Sequence, residues 1–327
     1  MLCESLTEIY SSRLAKQALH SGQYQEGNIM KTIPPFSESV WKSVKDTGDL
    51  HPGLTFYRFF EVFGKDEGKH RVSLERMCKQ SLPFANKLAD RLENQREALE
   101  ATGIWKMKTF DATLGTRMAM GLGIPSQAEN GLCLDHTHGI PLIPGSALKG
   151  VAQDYALMEQ DALKDSHKRR QVKQDDHSFI AVFGAQTPEG NEPASGDFVS
   201  RSGHTVFFDA VPVSNGKKVY PFDMDIINPH YGDYYANEGD KPPADYIRPN
   251  PILFLTVKPG TVFRFALAAR DVCFALNNEK TGEPGPEIRI SAAELLGKAE
   301  SFLKGALYNL GVGGKTRVGY GIFEGEE

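Results

Sequence analysis

The chain has 327 residues, of which 40% are hydrophobic and 24% are charged, and its formal net charge at pH 7 is −5. This size and composition predict a globular protein with one large core or two modest ones. The sequence contains no apolar run near the roughly 18 residues of a membrane span, and its N terminus does not resemble a signal sequence, so we expect a cytoplasmic protein without membrane contact.

The four cysteines, Cys3, Cys78, Cys133 and Cys273, are widely separated in the sequence. This spacing argues against a disulfide framework and against a zinc ribbon. We expect all four to be reduced packing residues.

The first part of the chain, residues 1–107, is predicted to be a mainly helical region. Its early part is broken by proline and glycine, whereas residues 81–103 carry apolar side chains at helical spacing and end at Gly103. The pattern predicts one amphipathic helix there. We find no catalytic or binding motif in the sequence of residues 1–107.

From residue 108 the pattern predicts an α+β core that extends to residue 327. The predicted elements are a strand at 109–120, a helix at 146–158, a strand at 204–213, a hairpin of strands at 252–257 and 261–268, a helix at 291–310 and a strand at 316–323. Ser146 is the predicted N-cap of the first of these helices, and Ser291 with Glu294 forms a capping box on the second. This order is compatible with a ferredoxin-like, RRM-type fold that carries insertions.

Two stretches of the core have a composition that allows more than one interpretation. The run at 164–173 is basic enough to contact phosphate, but four aspartates within or beside it favour a solvated or disordered loop. Residues 220–251 are rich in proline, tyrosine and acids and are predicted to lack secondary structure. We favour a subunit interface or a packed loop there; if it contacts RNA, His230, Tyr231 and Arg248 are the expected contacts.

The most specific signal is the segment 311–321, in which two Gly-x-Gly pairs bracket five residues that include Lys315 and Arg317. Glycine permits positive φ and close approach of another chain, so the composition predicts a loop that offers amides and charge to a phosphate. A nucleotide-binding P-loop is excluded, because Asn309 stands where that motif needs glycine and a helix is expected before the loop. A plain glycine-rich turn is the structural alternative.

A second anion site is predicted where a helix begins near Gly145 and Ser146. Lys149 falls in the first turn, where the helix dipole opposes a cation, so its presence makes more sense if an anion also binds there. An ordinary surface lysine is the alternative.

Residues 311–321 match the Gly-x-Gly, five residues, Gly-x-Gly form of the RAMP superfamily of CRISPR-associated RNA-binding proteins, which the chain resembles over about residues 108–325. Together with the segments 121–132, 140–150 and 228–235, the resemblance narrows to a subunit of the Cmr complex, the type III-B CRISPR effector. The residues thereby assigned to RNA binding are Gly145, Ser146, Lys149, Gly311, Gly313, Gly314, Lys315, Thr316, Arg317, Gly319 and Gly321.

The resemblance implies a noncatalytic subunit that binds the 3′ part of the guide RNA and caps the backbone filament in antiviral defence. It implies four partners besides a target RNA that is reached indirectly: the guide RNA, the neighbouring RAMP backbone subunit, the small helical subunit and another terminal RAMP subunit. Because the net charge is negative, the cations that meet RNA must be segregated from the acids, which could face basic partner subunits.

Some members of that superfamily cut RNA with a histidine or an aspartate, and the nearest candidates here are Asp111, Asp135, His136 and His138. The His-x-His pair lacks a nearby third ligand for a metal ion. We therefore expect no metal, no cofactor and no catalysis. The alternative is a metal-independent endoribonuclease that processes CRISPR RNA.

Overall fold

A computed structural model of the chain describes residues 51–59, 67–81, 84, 86–124, 126, 130–185, 201–214, 221–228, 252–277 and 284–325. The helices in this part are α1 (Pro52–Phe59), α2 (Glu67–Ser81), α3 (Lys87–Ala101), α4 (Gly145–Glu159), α5 (Ser166–Asp175), α6 (His177–Phe183) and α7 (Ala292–Asn309). The strands are β1 (Trp105–Thr113), β2 (Gly184–Ala185), β3 (Arg201–Ser202), β4 (Thr205–Phe207), β5 (Val211–Pro212), β6 (Phe222–Ile227), β7 (Ile252–Val257), β8 (Val262–Arg270), β9 (Val272–Asn277) and β10 (Pro284–Ile290). None of the helices in these ranges is both long enough and apolar enough to cross a membrane.

The centre of the fold is an antiparallel sheet built around β8. Strand β1 pairs along the whole of one edge of β8, from Trp105 opposite Arg270 to Thr113 opposite Val262. Strands β4 and β5 pair with its other edge. The mixture of helices and antiparallel strands confirms the predicted α+β class.

Both faces of this sheet are covered. On one face the side chains of Phe263, Phe265 and Leu267 join the main core, which α4 and α7 complete. On the other face the small side chains of Ala266 and Ala268 pack in a second cluster with residues of α3. Alternate residues of a strand point to opposite faces, so β8 is buried on both.

Helix α3 differs from the predicted helix at 81–103 in where it begins. Ser81 ends helix α2, and α3 starts only at Lys87. The sequence places Pro83 between them, and a proline disfavours the helical conformation in the residue before it. The apolar residues Leu88 and Leu92 then lie on the sheet-facing side of α3, as predicted for an amphipathic helix.

The predicted hairpin of strands 252–257 and 261–268 is wrong. Both strands exist, but β7 pairs with β6, whereas β8 pairs with β1, β4 and β5. The same finding corrects the prediction for 220–251, because Phe222–Ile227 forms a strand; residues 229–251, including His230, Tyr231 and Arg248, lie outside the described part of the chain. A period of two predicts a strand but does not specify its partner.

Three other predicted elements change in extent. The strand expected at 109–120 begins earlier and ends at Thr113, with only isolated bridges beyond it, and the strand at 204–213 is split into β4 and β5. The last predicted strand, at 316–323, is wrong for most of its length. Thr316–Val318 is a 3-10 helix, and only Phe323 pairs, opposite Leu114.

The predicted helix at 291–310 is confirmed as α7. Its N-cap is Ser291, whose hydroxyl accepts a hydrogen bond from the amide of Glu294 at 3.2 Å. Three of the cysteines, Cys78, Cys133 and Cys273, are free thiols as predicted, and Cys3 lies outside the described residues.

The described helices of the N-terminal region pack against the core. Phe56 of α1 and Met77 of α2 are fully buried in the main core. The hydroxyl of Tyr57 donates to the carbonyl of Leu132 at 2.6 Å. The division of the chain at residue 107 stays a prediction.

Candidate nucleic-acid interface

The glycine-rich loop follows α7 directly, which removes the strand that a P-loop requires before it. The amide of Gly311 donates to the carbonyl of Ala306 at 2.9 Å and closes the helix. Five loop residues have positive φ: Gly311, Gly313, Lys315, Gly319 and Gly321. The predicted reason for glycine in this loop, its tolerance of positive φ, is therefore borne out at four of them.

Close packing within the chain also requires glycine in this loop. A Cβ at Gly313 would lie 2.5 Å from the carbonyl oxygen of Ala119, and one at Gly321 would overlap the carbonyl of Val312. Gly319 differs from both, because a Cβ there would meet nothing within 4 Å. Among these three glycines, only Gly319 borders open space into which another molecule can come close.

Several loop amides bind the segment that follows β1. The amide of Gly314 donates to the carbonyl of Ala119 at 2.7 Å, and the amide of Gly321 donates to the carbonyl of Arg117 at 2.8 Å. These bonds fix both ends of the loop on one neighbouring strand-like segment. The loop is therefore held in one shape by the protein itself.

Four other loop amides have no acceptor within the described part of the chain: those of Gly313, Lys315, Thr316 and Arg317. They are consecutive apart from Gly314 and stand at the start of the 3-10 helix. Backbone amides left free in this way are strong donors for an anion. Unpaired amides are what the predicted phosphate site requires, and the assignment of these residues to RNA binding stays a prediction.

The two loop cations have different surroundings. Arg317 is exposed and forms no ion pair with a described residue. Lys315 is half-buried, and its Nζ lies 5.8 Å from the centre of the Phe254 ring, a cation–π distance. Arg317 is thus the freer of the two for a phosphate.

Two aspartates of β6 lie close to the loop and are held by cations and a phenol. Arg117 Nε lies 2.9 Å from Asp223 and its Nη1 lies 3.5 Å from Asp225. The hydroxyl of Tyr320 donates to Asp225 Oδ2 at 2.6 Å. Sequence reasoning missed this cluster, because its members are about 100 residues apart and no local pattern links them.

The cluster shifts the pKa values of both partners in the Tyr320 to Asp225 hydrogen bond. Burial alone would raise the pKa of Asp225, but the bond from Tyr320 and the charges of Arg117 and Lys315 outweigh burial and lower it. Burial and the neighbouring carboxylate raise the pKa of Tyr320 to about 12. The aspartate is therefore ionised and the phenol protonated near neutral pH, which keeps the bond intact.

The second predicted site, at the start of α4, already holds a carboxylate. The helix begins at Gly145 with Pro144 as its N-cap, so the prediction that Ser146 is the N-cap is wrong. The amide of Gly145 donates to Asp209 Oδ1 at 2.8 Å. A carboxylate from another segment has taken the role that sequence reasoning gave to the Ser146 side chain, because a helix N terminus favours a negative group.

Lys149 lies half-buried in the first turn of α4. It forms no ion pair with a described residue, and burial lowers the pKa of its ammonium group. In the described residues no hydrogen bond or ion pair joins this turn to the glycine loop. Because Asp209 already accepts from the amide of Gly145, the prediction that Lys149 and this helix start bind an RNA phosphate stays a prediction.

Three of the four candidates for catalysis are paired with another side chain, and the fourth, His136, has no such partner among the described residues. Asp111 forms a bidentate pair with Arg264, at 2.8 and 2.9 Å. Asp135 accepts from His138 Nδ1 at 2.7 Å, and burial, which would raise the pKa of Asp135, is outweighed by that bond. His136 is exposed. In the described part of the chain, no three His, Cys, Asp or Glu residues form a group that could hold a metal ion.

A sequence model of the RAMP superfamily matches residues 111–324, which include both anion-binding candidates. The chain belongs to the RAMP superfamily.

Among characterised relatives, the chain is 34% identical over 240 residues to the CRISPR system Cmr subunit Cmr6 of Pyrococcus furiosus, a match that covers 63% of this chain and 64% of the relative. It is 26% identical over 238 residues to Cmr6 of Saccharolobus solfataricus, covering 71% of this chain and 62% of the relative. The matches thus span less than two thirds of the length of either relative. They bear out the predicted resemblance to a subunit of the Cmr complex.

The chain also resembles a protein in a cryo-EM structure of the Type III-B Cmr-beta bound to cognate target RNA. The sequence identity is 19% and the TM-score 0.49, with 80% of this chain and 74% of that chain covered. This likeness is too low to support an argument on fold or function.

Proposed function

We propose that this protein is a noncatalytic subunit of a type III-B CRISPR complex that binds the 3′ part of the guide RNA and caps the backbone filament. The observation that carries the proposal is the glycine loop, where the exposed Arg317 and four amides without an acceptor among the described residues stand together on the hallmark segment of the RAMP superfamily. Amides and cations bind phosphates without reading bases. Base pairing by the guide then selects the target RNA.

The fold proposed for this role is ferredoxin-like. The order β1, α4, β4, β8, α7 and the antiparallel arrangement β1-β8-β4 support it, since that fold alternates two strand–helix–strand units in one antiparallel sheet. The final strand is reduced to residues 322–324, where the amide of Glu324 donates to the carbonyl of Thr113 at 2.9 Å. The residues that would extend this strand on its N-terminal side belong instead to the glycine loop.

The covered faces of the sheet support an RNA contact on the loops rather than on the sheet. In RRM domains aromatic residues on an open sheet face stack bases. Here α3 covers that face, with Leu88 and Leu92 packed on Ala266 and Ala268. The closed face supports phosphate binding at the loop as the main contact.

The proposed partners follow from the Cmr relatives: the guide RNA, the neighbouring RAMP backbone subunit, the small helical subunit and another terminal RAMP subunit. Target RNA is contacted indirectly, through the guide. The acids of the surface are the proposed protein-facing part.

The runner-up function, a metal-independent endoribonuclease, is favoured by one observation. His138 is oriented by Asp135, and a carboxylate that holds an imidazole is an arrangement used for general acid–base work. The ring of His138 also packs against Phe84, at 5.9 Å between centroids, and His51 binds the carbonyl of Thr137 at 2.9 Å. These contacts equally suit a structural role that joins the N-terminal helices to the core.

The test replaces both loop cations, with Lys315→Ala and Arg317→Ala in one variant. The slope of log affinity against log salt for single-stranded RNA should shrink by up to about 1.4, because each phosphate contact contributes roughly 0.7. The loss should be equal for unrelated sequences. The control is Lys79→Ala with Lys106→Ala, two exposed lysines on α2 and β1 that give the same change in net charge.

An unchanged slope, or a loss that depends on sequence, would make the loop a structural turn or a base reader. Repeat-containing RNA recovered from the same incubations should be uncut. Specific cleavage that disappears with His138→Ala or His136→Ala would instead establish the endoribonuclease.

A further inference from the structure

Helix α5, Ser166–Asp175, is a strongly basic element that lies outside both anion sites described above. Residues 164–173 include five lysines and arginines, one histidine and a single acid, in a chain whose net charge is −5. The prediction of a solvated or disordered loop for this run is wrong in its secondary structure, because the chain is helical from Ser166 onward; most of its side chains are exposed, as a solvated segment requires. The question is why a helix carries so much charge of one sign.

Two of the neighbouring acids, Asp165 and Asp176, form no ion pair with these cations in the described part of the chain. Asp165 is the N-cap of α5, and its Oδ1 accepts from the amides of His167 and Lys168 at 2.9 and 3.0 Å. Asp176 caps α6 by accepting from the amide of Phe179 at 2.9 Å, and its other oxygen accepts from Gln160 at 2.9 Å. Both carboxylates are thus used to begin helices.

The cations themselves have no ion pair in the described part of the chain: Lys164, Lys168, Arg169, Arg170 and Lys173. Within α5, Arg169 and Lys173 are four residues apart, and Arg170 and Lys173 are three apart. Side chains at these spacings are neighbours on a helix, and like charges there oppose helix formation. Burial, together with the charge of Arg169, lowers the pKa of Lys173, although Asp154 acts in the opposite direction.

The helix gains little from apolar packing to offset this repulsion. Val172 is its one aliphatic residue, and it is only partly buried against the main core. An open depression of about 390 Å³ lies beside it and is lined by Gln160, Lys168, Gln171, Val172 and Asp176. The glutamine amides and the lysine provide hydrogen-bond donors, which suit phosphate and sugar oxygens.

We propose that α5 is a further RNA-binding surface, which contacts the sugar–phosphate backbone of the RNA at a place separate from the glycine loop. The inference rests on the proposed function, since it assigns a second contact to the RNA that the loop holds. The hydrogen bond from Gln160 places the end of α5 at the C-terminal end of α4. Gln160 lies 11 residues after Lys149, and a helix rises 1.5 Å per residue, so this end is about 17 Å from Lys149 along the axis of α4.

Single-stranded RNA is favoured over an acidic protein as the occupant because of how the charges are arranged. The cations form a short ladder along one helix, with amide donors beside it and no exposed apolar patch on α5 that would anchor a protein partner. Protein interfaces draw much of their affinity from buried aromatic and apolar anchors. Phosphate binding requires charge and donors alone.

The test measures the affinity of the full chain for a fluorescein-labelled 30-nucleotide uridine oligomer between 50 and 200 mM salt. Lys168→Ala with Arg170→Ala changes two exposed side chains and should reduce the salt slope by up to about 1.4. Over this salt range the affinity of the wild type should then fall about sevenfold more than that of the variant. Lys168→Arg with Arg170→Lys should keep the wild-type slope, and the control pair Lys79→Ala with Lys106→Ala should also keep it.

The outcomes separate this inference from the proposed function. If the loop variant loses slope and the α5 variant does not, α5 is no RNA contact and the inference fails while the proposed function stands. If neither variant loses slope, both fail. If the α5 variant binds RNA normally but loses a protein partner in co-purification, α5 is a protein-docking helix, which overturns the inference.

Discussion

Single residues of the glycine loop serve two different purposes. Gly313 and Gly321 allow the loop to pack against its own chain, at Ala119 and Val312, whereas Gly319 has positive φ but no neighbour within 4 Å of a Cβ. A substitution at the first two would therefore disturb the loop whether or not RNA binds. Of these three glycines, only Gly319 can be substituted to block the approach of RNA without disturbing the packing of the loop.

Gly319→Asn should lower RNA affinity and leave thermal unfolding nearly unchanged. Asparagine tolerates positive φ better than other side chains, and its amide would stand in the open space beside the free loop amides. Gly321→Ala should instead lower the free energy of unfolding by about 1 to 3 kcal/mol, because its Cβ overlaps a carbonyl. Wild-type RNA affinity in a folded Gly319→Asn protein would show that RNA does not pass this side of the loop.

The hydrogen bond from Tyr320 to Asp225 makes the stability of the folded protein depend on pH in the acid range. A carboxyl whose folded pKa is lowered adds stability above its unfolded pKa and loses it as pH falls through the folded value. Tyr320→Phe should cost about 1 kcal/mol at pH 7 and make the loss of stability below about pH 4 shallower. Asp225→Asn should flatten the same limb, as followed by urea unfolding at a series of pH values; acid limbs identical to the wild type would contradict the account.

At the scale of elements, helix α7 carries two glycines in different surroundings. A Cβ at Gly297 would meet nothing within 4 Å, whereas one at Gly305 would overlap the ring of Tyr155 on α4. The ring of Tyr155 therefore packs directly against Gly305. At position 297, in contrast, no neighbouring atom requires the residue to be glycine.

Gly297→Ala should stabilise the protein by about 0.5 to 1 kcal/mol, because alanine is the better helix former. Gly305→Ala should destabilise it by about 1 to 3 kcal/mol through overpacking. Thermal unfolding of both variants, and of Gly305→Ala combined with Tyr155→Ala, measures the effect. Equal stabilisation by the two alanines would mean that α4 and α7 do not meet at Gly305.

The elements that could be predicted from the sequence are those fixed by interactions between residues close together along the chain. Helices α4 and α7 are set by local periodicity, and the cap at Ser291 was recognisable from four residues. The pairing of β7 with β6 could not be predicted, because alternation is the same for any partner. At the start of α4 the side chain that accepts from a helix amide is that of Asp209 and not that of Ser146. This could not be predicted, because Asp209 lies 64 residues from Gly145 along the chain.

The candidate site also has a part that could be predicted from neighbouring residues and a part that could not. The glycine loop and its cations were evident from eleven consecutive residues, including the positive φ of the glycines. Arg117, Asp223 and Asp225 were not, since their pairing depends on the chain returning from β6 to the loop. The basic run at α5 was visible in sequence, but its charge seemed balanced by acids that the fold uses as helix caps.

At the scale of the whole molecule, the proposed RNA binding by a chain of negative net charge requires that its cations be segregated from its acids. Acids near the loop are held by Arg117 and Tyr320, and acids beside α5 cap helices. Arg317 and the cations of α5 form no ion pair with a described residue. Net charge therefore says little about where a polyanion binds.

The most direct measurement of the central claim is co-purification of the tagged chain from the cells that make it, with mass spectrometry of bound proteins and sequencing of bound RNA. The account predicts RAMP-type partner subunits together with short RNAs that share a repeat-derived 5′ tag. The Lys315→Ala, Arg317→Ala variant should retain less RNA per complex. A free monomer without RNA, or a variant that retains as much RNA as the wild type, would contradict the account.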